Sequence, residues 1–208
     1  LENFVYEASL LKSIKYENIT GFIGVSFSQE PFYILTEYTH YGKLRTCLLN
    51  KTLPNPQIVS IKTICLQIIN AAIYLERRNF IIHRNISTSS LYVTDSFVIK
   101  LGDFDKARLT RQDTFTAEDD EQLDVTYASP EVMERLKYST KSDIWSLGLT
   151  LWEVFSGGAL PHQEKCNQEI IAFTMTSLKL DRPSTCDELT YEIINKCWEF
   201  EAGKRTTL

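Results

Sequence analysis

Two short polar runs contain the groups best suited to chemistry. They are His83-Arg84-Asn85 and Asp103-Phe104-Asp105. The amide of an asparagine can orient a hydroxyl group, but it has no titratable oxygen near neutral pH and so cannot serve as a general base. Two carboxylates one residue apart either recruit a cation or repel a negatively charged group. The residues themselves leave these two alternatives open.

The cysteines argue against a zinc site or a disulfide framework. All five are widely spaced, their number is odd, and no C-x-x-C pair occurs among Cys47, Cys65, Cys166, Cys186 and Cys197. Such a pattern is typical of reduced, mostly buried thiols in a cytosolic environment.

The composition is that of an ordinary globular chain. Of its 208 residues, 43% are hydrophobic and 24% are charged, and the net charge of −5 is spread along the sequence. Without a block of Lys and Arg, neither a nucleic-acid surface nor a membrane surface is indicated. The most apolar stretch, Ile144 to Phe155, is too short to span a bilayer, and no signal peptide opens the chain.

Hydrophobic periodicity predicts a small strand-containing part followed by a larger helical part. Helices are expected over Phe4–Ile14, Ile58–Arg78, Asp143–Phe155, Gln168–Ser177 and Asp187–Phe200, and strands over Phe22–Phe27, Phe32–Thr36, Leu91–Val93 and Val98–Leu101. The polar stretch from Arg108 to Asp124 has no periodicity and is expected to be a loop.

Several short runs, in order, resemble the conserved motifs of protein kinases. The run that begins at His83 is similar to the catalytic loop H-R-D-L-x-x-x-N, and the run that begins at Asp103 is similar to D-F-G. Three further runs resemble A-P-E, the start of the central helix of the large lobe and the C-W…R ending of tyrosine kinases; they are Ser129-Pro130-Glu131, Ser142-Asp143-Ile144-Trp145-Ser146, and Cys197-Trp198 with Arg205. The chain is thus identified as a member of the tyrosine-kinase group over essentially its whole length.

Within that group, two runs look most like focal-adhesion-type cytoplasmic tyrosine kinases. They are Gly42-Lys43-Leu44-Arg45 and Leu101-Gly102-Asp103-Phe104.

The resemblance implies an α+β, bilobal protein-kinase fold. A partial small lobe would span residues 1–36, a hinge 37–42, and a complete large helical lobe 43–208. The family's Gly-rich loop and strand lysine would precede Leu1. Either this sequence begins inside the small lobe, or the parent gene lacks those elements.

The resemblance also assigns roles around the catalytic loop. Asn85 stands where active kinases have the aspartate that accepts the substrate proton, with His83 and Arg84 beside it. Ser90 replaces the asparagine that ligates a second Mg²⁺. Asp105 replaces the D-F-G glycine, at a position where a positive φ favours glycine. Each of these changes weighs against ordinary turnover.

A nucleotide site is implied by the same comparison. Its expected members are Glu7, Thr36 as gatekeeper, Glu37, Thr39, Ser90, Tyr92 and Asp103, with Asp103 and Ser90 as metal ligands. Tyr92 falls where a smaller aliphatic residue lies under adenine, so its ring would either stack on the base or fill the pocket. ATP and Mg²⁺ binding is therefore expected to be weak or absent.

Other positions match an intact scaffold. The resemblance places Leu11, Phe22, His83 and Phe104 in an internal hydrophobic spine anchored by Asp143, and it pairs Glu131 with Arg205. The acidic run Glu118-Asp119-Asp120-Glu121 is either a solvated face or a partner for Arg84 that replaces a phosphate.

Two functions follow as expectations. The first is a tyrosine-kinase-like pseudokinase, a regulatory or scaffolding module for other signalling proteins or an active kinase. The alternative is a slow ATP-dependent tyrosine kinase that acts on a protein substrate through Asn85 and Asp103. A third possibility, a domain that senses a nucleotide but does not transfer phosphate, differs from the pseudokinase only in whether it binds ATP. The expected location is the cytoplasm, or the cytoplasmic part of a membrane-anchored parent.

Overall fold

A computed structural model describes residues 1–53, 59–79, 81–110, 112, 114–118, 123–177 and 179–207. The helices are α1 (Glu2–Ser13), α2 (Leu44–Leu49), α3 (Ile61–Asn79), α4 (Pro130–Arg135), α5 (Thr140–Phe155), α6 (Asn167–Met175) and α7 (Glu188–Cys197), followed by a 3₁₀ turn at Ala202–Lys204. The strands are β1 (Phe22–Ser26), β2 (Tyr33–Thr36), β3 (Gly42–Lys43), β4 (Ile81–Ile82), β5 (Leu91–Val93), β6 (Ile99–Leu101), β7 (Arg108–Leu109), β8 (Thr114–Thr116) and β9 (Lys137–Ser139).

The small lobe consists of α1 and the antiparallel hairpin β1–β2. Alternation along the two strands turns Phe22 and Ile34 toward the core and leaves Ile23 and Leu35 on the outer face. Leu11 of α1 is buried in the same core, which continues without a break into the helical lobe. The two parts of the chain therefore share one hydrophobic core.

The large lobe is organised around α5. This helix is buried nearly all round because its sequence is apolar on every face, as the sequence predicts. Its start is fixed by a capping box, in which the Ser139 side chain accepts from the backbone of Ser142 and the Ser142 hydroxyl accepts from the backbone of Ser139. The helix begins three residues before the predicted Asp143, which therefore lies in its first turn.

A small antiparallel sheet, in the order β3-β5-β6, lies beneath the cleft between the lobes. In its register, Tyr92 stands opposite Lys43 on one side and Lys100 on the other. Cross-strand partners point to the same face of a sheet, so the register brings Lys43 and the Tyr92 ring together.

The segment predicted as a loop from Arg108 to Asp124 contains two short strands. β7 pairs with β4, and β8 pairs with β9. The prediction was wrong here because strands of two or three residues are too short to show a period, and their partners lie far away in the sequence. The predicted helix starting at Ile58 begins at Ile61: Val59 and Ser60 are not helical, and Ile58 lies outside the described residues.

In the described part of the chain, no helix is both long enough and apolar enough to cross a membrane.

Candidate functional site

The catalytic loop is held by the carboxylate of Asp143, in the first turn of α5. Its two oxygens accept the backbone N–H groups of His83, at 2.6 Å, and Arg84, at 2.9 Å. Arg84 has a left-handed backbone, with φ of +67°, and the second of these hydrogen bonds compensates for that strain. Burial raises the pKa of Asp143 to about 7, and the two N–H donors oppose that rise.

The imidazole of His83 joins the two polar runs. It is completely buried, its Nε2 lies 3.0 Å from the carbonyl oxygen of Gly102, and its ring packs edge-on against Phe104 with centroids 4.6 Å apart. Burial lowers the pKa of His83 to about 4, so the ring is neutral at pH 7 and Nε2–H donates to the carbonyl. Leu11, Phe22 and Phe104 belong to the same core, as the spine expectation requires.

The carboxylate of Asp103 is occupied by two neighbouring side chains. Its Oδ1 accepts the Tyr92 hydroxyl at 2.6 Å, and its Oδ2 lies 3.6 Å from Nζ of Lys43. Nζ of Lys43 also lies 5.8 Å from the centre of the Tyr92 ring. Burial, followed by the hydrogen bond to Asp103, raises the pKa of the Tyr92 phenol, so it remains a proton donor at neutral pH. We call these three residues the Asp103 cap.

The ring of Tyr92 lies directly against the backbone of Gly102. A Cβ atom at Gly102 would be 2.8 Å from Cε2 of Tyr92, closer than side chains approach one another. The glycine therefore makes room for the ring, and the phenol reaches Asp103 along the end of β6.

Glu7 of α1 faces Asp103 and Asp105. Burial, followed by the charges of Asp105 and Asp103, raises the pKa of the Glu7 carboxyl. Among the described residues, no Lys or Arg pairs with Glu7. The φ of Asp105 is not positive, so the backbone conflict that the sequence suggests at this position is not present.

A cleft of about 230 Å³, partly open to solvent, brings together six of the seven residues predicted to hold a nucleotide. They are Glu7, Thr36, Glu37, Thr39, Tyr92 and Asp103. Ser90 does not line this cleft. It is buried, and its hydroxyl accepts the N–H of Ser87 and donates to the carbonyl of Ser87.

The acidic side chain of Glu37 is also engaged. Its Oε1 accepts the N–H of Gly21 at 2.6 Å and lies 2.8 Å from Nζ of Lys100. In addition, the Glu37 N–H donates to the Gly21 carbonyl at 2.8 Å. This segment is therefore fixed to the start of β1.

Comparison with known proteins decides the family. The model of the protein tyrosine and serine/threonine kinase family matches residues 1–208. This chain belongs to that protein-kinase family.

The kinase domain is similar to several tyrosine kinases. It is 32% identical over 207 residues to the Drosophila melanogaster tyrosine-protein kinase Abl, covering 100% of this chain and 13% of that protein. It is 31% identical over 205 residues to human tyrosine-protein kinase ABL2, covering 99% of this chain and 17% of that protein. It is 30% identical over 206 residues to the Drosophila tyrosine-protein kinase Btk, covering 98% of this chain and 26% of that protein.

These likenesses confirm the tyrosine-kinase assignment and the α+β kinase fold. The chain spans only a minor part of the length of these relatives. The focal-adhesion-type likeness remains a prediction.

Asn85 of the kinase domain lines a second, much smaller cavity, of about 30 Å³ and partly open to solvent. The polar side chains that share this cavity include Arg84, Lys106, Asp124, Tyr127 and Ser146. Within the described part of the chain, the Asn85 amide makes no hydrogen bond, so it is available to orient a hydroxyl group.

A second buried carboxylate, which sequence reasoning missed, joins three segments. Glu153 accepts the hydroxyl of Thr88 at 2.5 Å and that of Tyr127 at 2.8 Å, and it lies 3.4 Å from Nε of Arg45. Burial raises the pKa of Glu153, and these donors oppose that rise. Glu153 lies on the buried face of α5, where an apolar residue is usual. A charged residue at such a position was the feature of the sequence that could have identified it.

Sequence reasoning also missed Lys43 as part of the site. It lies in a strand of two residues whose pairing with β5 has no signature in the sequence. Asp119, Asp120 and Glu121, which were predicted either to be solvated or to pair with Arg84, lie outside the described residues.

Proposed function

We propose that this chain is a tyrosine-kinase-like pseudokinase domain, a regulatory or scaffolding module in phosphorylation signalling. The Asp103 cap is the single observation that carries the proposal. An aspartate at this point of the fold is useful for phosphoryl transfer when its oxygens are free for a metal ion. Here one oxygen accepts the Tyr92 hydroxyl and the other faces Lys43.

The donor set does not fit Mg²⁺. Ser90, the second predicted ligand, donates its proton to Ser87 and does not line the cleft. Among the described residues, no group of three Asp, Glu, His or Cys side chains is arranged to hold a metal ion. ATP and Mg²⁺ therefore bind weakly or not at all in this proposal.

The two parts of the cap differ in strength. Lys43 is about half exposed and 3.6 Å from Asp103, and exposed ion pairs contribute about 0–1 kcal/mol. A hydrogen bond to a charged group contributes about 1.5–3 kcal/mol. The Tyr92 hydroxyl is therefore the main competitor of a metal ion for Asp103.

The domain would span 1–208, with a partial small lobe at 1–36, a hinge at 37–42 and a large lobe at 43–208. Its partners would be other signalling proteins or an active kinase. We propose no nucleic-acid partner. The proposed location is the cytoplasm, or the cytoplasmic part of a membrane-anchored parent, consistent with the absence of a disulfide between any of the five cysteines.

A slow protein tyrosine kinase is the alternative, and one observation favours it. The backbone of the catalytic loop is anchored by Asp143, and the Asn85 amide is free to orient a substrate hydroxyl. Without a general base at Asn85, transfer would be slower by about 10²- to 10⁴-fold.

Nucleotide binding tests the cap directly. Thermal shift is measured with ATP in the presence and absence of Mg²⁺, because a ligand that binds only the folded state raises the melting temperature. The unchanged chain is expected to show no Mg²⁺-dependent shift. Tyr92→Phe keeps the ring and removes the hydroxyl, so Mg²⁺-dependent binding should tighten by about 10- to 100-fold. Tyr16→Leu, which alters a tyrosine stacked on Tyr74 instead, should have no such effect.

Phosphate transfer from radiolabelled ATP to a tyrosine polymer separates the two functions. The unchanged chain and Asn85→Asp should both remain at background, because the changes at Asn85, Ser90 and Tyr92 affect one transition state and a single repair recovers little. Robust transfer by the unchanged chain, abolished by Asp103→Ala, would establish the slow kinase and refute the pseudokinase proposal.

A further inference from the structure

Five side chains with alternating aromatic and guanidinium groups form a continuous stack beside the catalytic loop. In order along the stack they are Tyr6, Arg108, Phe115, Arg84 and Tyr138. The guanidinium carbon of Arg108 lies 5.5 Å from the Tyr6 ring and 5.6 Å from the Phe115 ring. That of Arg84 lies 4.8 Å from the Phe115 ring and 4.2 Å from the Tyr138 ring. We call this set the arginine ladder.

Each separation falls within the range of about 6 Å over which a cation is attracted to an aromatic face. Phe115 lies between two cations, and Arg84 lies between two rings. Tyr138 is the cross-strand partner of Phe115 in the β8–β9 pair, so the backbone register places both rings beside the same guanidinium.

Hydrogen bonds fix two members of the ladder, Tyr6 and Arg84. At one end, the N–H of Leu109 donates to the Tyr6 hydroxyl at 2.6 Å, which ties β7 to α1. Next to Tyr138, Arg84 is anchored through its own N–H to Asp143 and donates from Nη1 to the carbonyl of Lys106 at 3.1 Å. The ladder thus connects α1, the catalytic loop and β9 with the strands β7 and β8.

We propose that the arginine ladder holds β7 and β8 in position without a phosphate group, with Phe115 as its central positioning residue. A segment next to a catalytic loop is commonly ordered by an added phosphate, which supplies the counter-charge for arginine side chains. Here aromatic faces lie against both guanidinium groups. The inference goes beyond the proposed function, since it holds whether or not the domain transfers phosphate.

Hydrogen–deuterium exchange tests the proposal on the full chain made in bacteria and shown by intact mass to carry no phosphate. The backbone amides of 108–109 and 114–117 should be protected in the unchanged chain. Phe115→Leu keeps an apolar side chain and the strand pairing but removes the π face, so exchange of these amides should rise by about fivefold or more. Phe115→Tyr keeps the ring and should retain the protection.

Two further variants locate the effect. Arg108→Met should raise exchange of the same amides, because it removes one of the two cations beside Phe115. Phe97→Leu removes a ring from the Tyr41–Phe97 stack, which contains no cation, and should leave these amides unchanged.

The proposal is overturned by either of two results. One is a phosphate-free, unchanged chain in which amides 108–109 and 114–117 exchange without protection. The other is equal exchange in Phe115→Leu and Phe115→Tyr, which would show that apolar burial, and not the attraction between cation and ring, holds the segment.

Discussion

Substitution of Arg205 by alanine should be among the most destabilising single changes in this domain. The Arg205 side chain is completely buried and forms a two-pronged pair with Glu131, with Nη1–Oε1 and Nη2–Oε2 distances of 2.7 Å. The remaining donors reach backbone carbonyls: Nε that of Glu199, Nη1 that of Lys141 and Nη2 that of Phe200. All five N–H groups of the guanidinium are therefore used.

The magnitude follows from what the substitution leaves behind. The Glu131 side chain is only 22% exposed, so removing Arg205 strands a charge that water reaches poorly. Breaking a buried pair in this way costs about 3–5 kcal/mol. Three backbone carbonyls also lose their donor, and each buried acceptor without a partner costs about 1–3 kcal/mol, although water entering the vacated space recovers part of this. We expect the total to lie in the upper half of the 3–5 kcal/mol range.

Urea unfolding of the unchanged chain and Arg205→Ala measures the difference in free energy of unfolding. Arg205→Lys keeps the charge but loses the fork, so it should retain only part of the stability. Lys204→Ala is the matched control, because Lys204 pairs with Glu201 on the surface, where both side chains are about two-thirds exposed. Its midpoint should not move. An unchanged midpoint for Arg205→Ala would refute the reasoning.

Two other perturbations have a defined sign. His83 is buried with a pKa near 4 instead of 6.5, so the unfolded chain binds the proton first and stability falls as the pH drops from about 6.5 towards 4. By pH 5 the free energy of unfolding should have fallen by about 2 kcal/mol, and His83→Gln should lack this loss between pH 7 and pH 5. Asp143 and His162 also titrate, but they are present in both chains. Equal losses in the two chains would contradict the assignment of the pH dependence to His83. Gly148→Ala should destabilise the domain by about 1–3 kcal/mol through overpacking, since the new Cβ would lie 2.5 Å from Nε1 of Trp198. Gly203→Ala is the control, because a Cβ there meets nothing within 4 Å. Equal urea midpoints for the two variants would show that the packing around α5 adjusts to the extra methyl group.

The sequence predicted well those features that repeat over many residues or match a long ordered set of motifs. α5 is apolar on every face and was placed correctly, and the bidentate Glu131–Arg205 pair is present. The two-residue strands β3, β4 and β7 were not predicted, because their existence depends on partners far away in the sequence and not on local pattern.

Side-chain direction was the other limit of sequence reasoning. The sequence predicted a metal ligand at Ser90 and, at Tyr92, a ring that stacks on adenine or fills its pocket. Only the fold shows that the Ser90 hydroxyl is turned to the Ser87 backbone while that of Tyr92 reaches Asp103. Likewise, the strain expected at Asp105 is not found, because the positive φ in this run belongs to Asp103, at +55°.

The hydrogen bonds that fix the catalytic loop do not involve the side chain at position 85, so the fold does not depend on the residue there. Asp143 holds the backbone of His83 and Arg84, and His83 holds Gly102, whatever residue occupies position 85. Around Asp103, acidic side chains outnumber basic ones. Glu7 and Asp105 add negative charge beside Asp103, and in the described cleft Lys43 is the cation within salt-bridge distance of that carboxylate.

An aspartate at position 85 would add a negative charge to the catalytic loop without adding a cation. Like charges disfavour ionisation, so the new carboxylate would be a base only at an electrostatic cost that Mg²⁺ offsets in a site able to bind it. While Tyr92 and Lys43 occupy Asp103, that compensation is weak. In the proposed pseudokinase, transfer therefore requires release of the Asp103 cap as well as repair of the base: Asn85→Asp should have no influence on transfer unless Tyr92→Phe is already present.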